Sequence, residues 1–68
     1  MFEVYDEANL NSYLIRLQEV QYITKKFQSS SQAGSTFQIS IMFKNSKELE
    51  MTLTDVVLGE LVGALSNA

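Results

Sequence analysis

From Thr36 to Leu65 the chain first alternates and then turns helical. Phe37, Ile39, Ile41 and Phe43 alternate with Gln38, Ser40, Met42 and Lys44, the period-two signature of a strand with one buried face. Leu49, Met51 and Leu53 repeat the pattern against Glu48, Glu50 and Thr52. The spacing predicts strands over about 36–44 and 48–54, joined as a hairpin. Register must hold the apolar residues on one face, which favours a three-residue loop, Asn45-Ser46-Lys47. That loop pairs Phe43 with Leu49, Ile41 with Met51 and Ile39 with Leu53. It also sets Lys44 opposite Glu48, an ion pair worth roughly a few tenths of a kcal/mol.

A helical period follows and predicts a helix over about 55–66. Thr54 is placed to cap it, and Asp55 suits the positive end of its dipole. Ala64, Val57, Leu61, Leu65, Leu58 and Val62 fall on one continuous apolar arc, which should cover the apolar face of the hairpin. The other side holds Asp55, Val56, Gly59, Glu60, Gly63 and Ser66. Each interior glycine costs about 1 kcal/mol relative to alanine. Two glycines four apart beside Val56 form a flat strip that another backbone can approach, as in small-xxx-small helix contacts. The alternative is that they pack on this chain's own first helix.

The upstream half is less regular. Phe2 and Val4 share one face of a possible short strand over residues 1–5. Asp6 is suited to cap a helix, and Glu7 to its first turn. Leu10, Tyr13, Leu14, Leu17 and Val20 match the i, i+3, i+4, i+7 template and predict a helix over about 7–19. Ile15 falls off that stripe, and Asn9, Asn11 and Ser12 are poor helix formers. The competing pattern is a strand over Tyr13 to Gln18, because Ile15 and Leu17 alternate with Arg16 and Gln18. Tyr22, Ile23, Thr24 and Phe27 predict a strand over about 21–28. Its adjacent lysines, Lys25 and Lys26, suit the edge of a sheet, where charge discourages foreign pairing. Ser29 to Ser35 reads as a mobile loop; its single glycine, Gly34, falls short of a phosphate-gripping motif. The expected architecture is α+β in a single domain, 1–68. A three-stranded antiparallel meander carries an N-terminal and a C-terminal helix packed on one face, with a possible extra short N-terminal strand.

Composition narrows the chemistry. Sixty-eight residues make a marginal core unless it is stapled, and the chain has neither cysteine nor histidine. Disulfides and thiolate metal sites are therefore excluded, and the commonest metal ligand and general base are missing. We expect no metal site and no cofactor. With no export signal or membrane span in the sequence, a cytoplasmic protein is expected. The net charge of -3 is unevenly spread. Residues 1–15 hold Glu3, Asp6 and Glu7 and no base. All five bases (Arg16, Lys25, Lys26, Lys44, Lys47) lie in the middle, and Glu48, Glu50, Asp55 and Glu60 follow with none.

Catalysis is not expected. No serine is marked by a neighbouring base, and Glu48 and Glu50, about 6.7 Å apart along one strand, face open solvent rather than a cleft. A nucleic-acid binder would use the five bases on phosphates and stack Tyr22 or Phe27 on bases. Lys26 and Lys44 make a small basic patch possible on the outer sheet face, but the acids on the next strand oppose it. The favoured function is a non-enzymatic protein-binding module with a host or cognate protein as partner. It has the character of the small acidic inhibitors by which phages and mobile elements seize one host protein. A homodimer through Val56, Gly59 and Gly63 would supply the missing core. In the narrower version, Glu48, Glu50, Asp55 and Glu60 bind the partner by imitating the phosphates of DNA. The order hairpin, Thr52-Leu53-Thr54-Asp55, apolar helix resembles the small phage inhibitors of uracil-DNA glycosylase. That resemblance implies a dimer whose target is a DNA-processing enzyme. The chain departs from it at Val56 and Val57, where an aromatic and an acid are expected.

Overall fold

The computed structural model describes residues 1–32 and 34–67. Five strands and one helix follow in order: β1 (Phe2–Asp6), β2 (Asn11–Ile15), β3 (Val20–Ser31), β4 (Gly34–Phe43), β5 (Glu48–Thr54) and α1 (Asp55–Ser66). The strands form a two-stranded sheet, β1-β2, and a three-stranded antiparallel sheet in the order β3-β4-β5. The α+β class, the meander and the C-terminal helix agree with the sequence reading. The N-terminal helix does not.

The helix expected over residues 7–19 is replaced by the turn and second strand of a hairpin, followed by a single 3₁₀ turn, Leu17–Glu19. Two features decide against the helix. Leu10 takes a positive φ of 55°, a left-handed conformation that a right-handed helix cannot contain. The Asp6 carboxylate caps the turn instead, accepting the Ala8 N–H at 3.0 Å and the Asn9 side-chain amide at 2.9 Å. Leu10 and Leu14, members of the supposed apolar stripe, are 73% and 67% exposed, while off-stripe Ile15 is buried. The first strand is formed as the sequence suggests, with Val4 buried and Phe2 packed beside it.

Strand β3 is an edge strand, as Lys25 and Lys26 lead one to expect, but it is longer than 21–28. The serines read as a loop lengthen both arms of the hairpin: Ser29 pairs with Thr36, Ser30 with Ser35 and Ser31 with Gly34. Hydroxyls hold this end, with Ser29 Oγ and Thr36 Oγ1 2.9 Å apart. The part of that expected loop at residue 33 lies outside the described residues. Irregular steps at Val20/Tyr22 and Phe27/Ser29 break the ladder, a further protection of an exposed edge.

The β4–β5 hairpin keeps the expected faces in a register moved by two residues. Ile41 pairs with Leu49, Ile39 with Met51 and Phe37 with Leu53, so Glu48 stands opposite Met42 and not Lys44. The loop is Lys44-Asn45-Ser46, since the Phe43 N–H donates to Lys47 O at 2.9 Å. Its chemistry explains the shift. The Ser46 N–H closes a turn on Phe43 O at 2.9 Å, Ser46 adopts φ 71°, and Asn45 Oδ1 accepts the Lys47 N–H at 3.0 Å. A turn followed by one left-handed residue is a common three-residue hairpin. The Lys44 N–H is meanwhile taken by Glu19 O at 2.9 Å, which ties the turn to the 3₁₀ segment.

Helix α1 has the expected bounds. Thr54 Oγ1 accepts the Val57 N–H at 3.3 Å, and Asp55 Oδ1 accepts the Val56 N–H at 2.8 Å, satisfying donors that a helix start leaves free. Leu58 and Leu61 join Val4, Ile15, Ile39, Ile41, Met51 and Leu53 in one core. The helix packs on β4, β5 and β1, so the N-terminal hairpin takes the place expected of the first helix.

Candidate protein-interaction surfaces

Asp6 fixes how the two sheets meet. Among the described residues it is the buried charged side chain. Besides its two bonds within the turn, Asp6 Oδ1 accepts the Thr52 N–H of β5 at 3.0 Å, and the Glu7 N–H donates to Thr52 O at 2.8 Å. The end of β1 therefore covers part of the outer edge of β5. Burial pushes the Asp6 carboxyl up, but the N–H of Thr52, the Asn9 amide and the Ala8 N–H outweigh it, and the net pKa lies below the ordinary 3.8. These bonds all run within the fold, so the buried Asp6 side chain ties the turn to β5.

The four acids proposed to bind a partner are not gathered on one face. Glu48 and Glu50 alternate with the buried-face residues Leu49 and Met51, so they stand on the sheet face turned away from α1. Tyr22, Lys26 and Gln38 share that face by register, and Gln38 Nε2 reaches Glu50 Oε2 at 3.5 Å. Asp55 and Glu60 are carried by α1 on the other side of the sheet. Asp55 lies against the hairpin: a Cβ on Gly34 would stand 3.4 Å from its Oδ1. A carboxylate there opposes any anion at Gly34. A continuous row of imitated phosphates is therefore not formed, because a strand and the helix packed across it present their polar sides in opposite directions.

Of the two lysines read as a basic patch, Lys26 is on the outer sheet face and Lys44 is in the turn. Lys25, on the helix side, has its Nζ 5.6 Å from the Phe37 ring centre, and Phe37 meets Phe27 edge-on at 5.8 Å. Among the described residues no group of three or more acidic side chains is placed to hold a metal ion, and no helix is long and apolar enough to cross a membrane.

The residues proposed for a dimer interface do share one surface. Val56, Gly59 and Gly63 lie on the outward side of α1, where Val56 is 69% exposed and Val62, at the flank, 45%. A Cβ at Gly59 or Gly63 would meet nothing within 4 Å. The alternative, that they pack on this chain's own first helix, fails because no helix forms over residues 7–19 beyond the single 3₁₀ turn.

A second surface escapes sequence reasoning. Two open depressions of about 470 and 450 Å³ adjoin at Leu17 and Gln18, which line both. Phe2 lies in one, Val20 and Leu65 in the other, and the basic residues are Arg16 in the first and Lys44 in the second. It escapes notice because it joins β1, the 3₁₀ turn, β3, the β4–β5 turn and the end of α1. The only sequence signal is that Phe2, Leu17 and Leu65 sit at element ends, where half-burial is usual. No family model matches the chain, and no curated protein or solved structure is significantly similar to it.

Proposed function

We propose that this chain is a non-enzymatic protein-binding module that works as a homodimer in the cytoplasm and seizes one host or cognate protein. The observation that carries the reading is the outward side of α1. Two glycines cost that helix about 1 kcal/mol each relative to alanine, yet among the described residues nothing touches the space they leave. Val56 and Val62 are exposed beside them. An apolar strip without internal use, on a small unstapled core, is suited to burial against another protein. Small size and acidic balance suit the inhibitors used by phages and mobile elements.

The test is a tagged pull-down from a lysate of the source cells or their host, run with and without nuclease. One stoichiometric protein, retained after nuclease, is the expected result. Recovery that vanishes with nuclease contradicts the reading and moves the function to Lys26 and its neighbours on the sheet.

A further inference from the structure

We propose that the groove between Arg16 and Lys44 receives the outward side of α1 from a second copy of this chain, each helix lying in the other copy's groove. This rests on the homodimer reading above and assigns it a geometry. Charge selects the occupant. Among the described residues the charged side chains lining the groove are Arg16 and Lys44, whereas α1 carries acids alone, Asp55 and Glu60. Its floor offers Phe2, Leu17, Val20 and Leu65, all half-buried, to the exposed Val56 and Val62. An amphipathic helix laid in an apolar groove is a recurrent recognition mode, and the bare Gly59 and Gly63 let this helix backbone sink deep.

Helix and groove are also neighbours, since Leu65 belongs to both. A two-fold axis between them lets each copy give and receive the same contact, which closes the assembly at two. The rival symmetric contact is antiparallel pairing of the free β3 edges. Centred on that strand, it brings Lys25 and Lys26 against their counterparts, and like charges set opposite each other destabilise such a pair.

A charge exchange tests the proposal. One variant carries Arg16→Glu with Lys44→Glu, the other Glu60→Lys. All three side chains are exposed, so both variants keep the fold, which circular dichroism verifies. Each variant alone is expected to dimerise at least about ten-fold more weakly than the unmodified chain, because like charges then meet at both contacts. Mixed, the two variants should form a one-to-one heterodimer, with an acidic helix in a basic groove and a helix made basic at position 60 in an acidic one. If both variants dimerise as the unmodified chain does, the groove is not the site, though the homodimer stands. Two monomeric variants that fail to pair also overturn the proposal. An unmodified chain that stays monomeric overturns the homodimer reading itself.

Discussion

Replacing Asp6 by alanine is expected to lower the stability of the fold by about 2–3 kcal/mol, measured by urea unfolding at neutral pH. A hydrogen bond to a charged group contributes about 1.5–3 kcal/mol, and three well-defined donors converge on this carboxylate. Ala8 and Asn9 are exposed and regain water when the acceptor is lost. Thr52 is half-buried, so most of the loss falls on its N–H, which together with the Glu7 N–H to Thr52 O bond joins the hairpin to β5. A chain of this length has about 3–10 kcal/mol in all, so the variant should be partly unfolded in mild denaturant.

The same contact sets an acid limit. The folded-state pKa of Asp6 lies below the ordinary 3.8, so its contribution is complete above the unfolded value. It disappears as the pH falls through the lower, folded value. The stability gap between the unmodified chain and Asp6→Ala should therefore be constant at neutral pH and close in strong acid. A gap that stays open there would show that the side chain acts through packing alone. Because β1 carries Phe2 to the groove, loosening this tether should also weaken self-association.

Leu61→Ala has the largest expected effect on the core, about 3–5 kcal/mol. Leu61 is fully buried in the cluster that joins α1 to residues of both sheets, so its loss leaves a cavity where three layers meet. Set against about 3–10 kcal/mol in total, it should leave a large unfolded fraction at room temperature. Val62→Ala, one residue along, removes a side chain that is 45% exposed and should cost the monomer less than about 1 kcal/mol. If Val62→Ala proved as damaging as Leu61→Ala, the assignment of the two helix faces would be wrong.

The elements that were legible in the sequence are those where one pattern dominates. The helix over 55–66 was readable because its cap, dipole acid and apolar arc agree. The faces of β4 and β5 were readable from strict alternation. The register was not: moving a strand by two residues leaves every side chain on its own face, so the apolar pattern permits both pairings equally. Only the turn separates them, through a left-handed Ser46 and the Asn45 side chain. Residues 7–19 failed for a related reason. Leu10, Tyr13, Leu14 and Leu17 satisfy a helical template, while Tyr13, Ile15 and Leu17 satisfy a strand. Asp6 and the left-handed Leu10 decided between them, and the bonding of Asp6 to Thr52 spans 46 positions. The acidic set was legible as composition but not as a surface, because adjacency in sequence does not place a strand and a helix on one side.

Sedimentation equilibrium of the unmodified chain and Gly63→Leu, over a wide range of concentrations, tests the central claim most directly. The account predicts that the unmodified chain rises with concentration toward twice its 7.7 kDa mass. Gly63→Leu should stay near 7.7 kDa, since leucine would fill the space proposed for the partner copy. An unmodified chain that remains monomeric throughout, or a Gly63→Leu variant that dimerises as well, would contradict it.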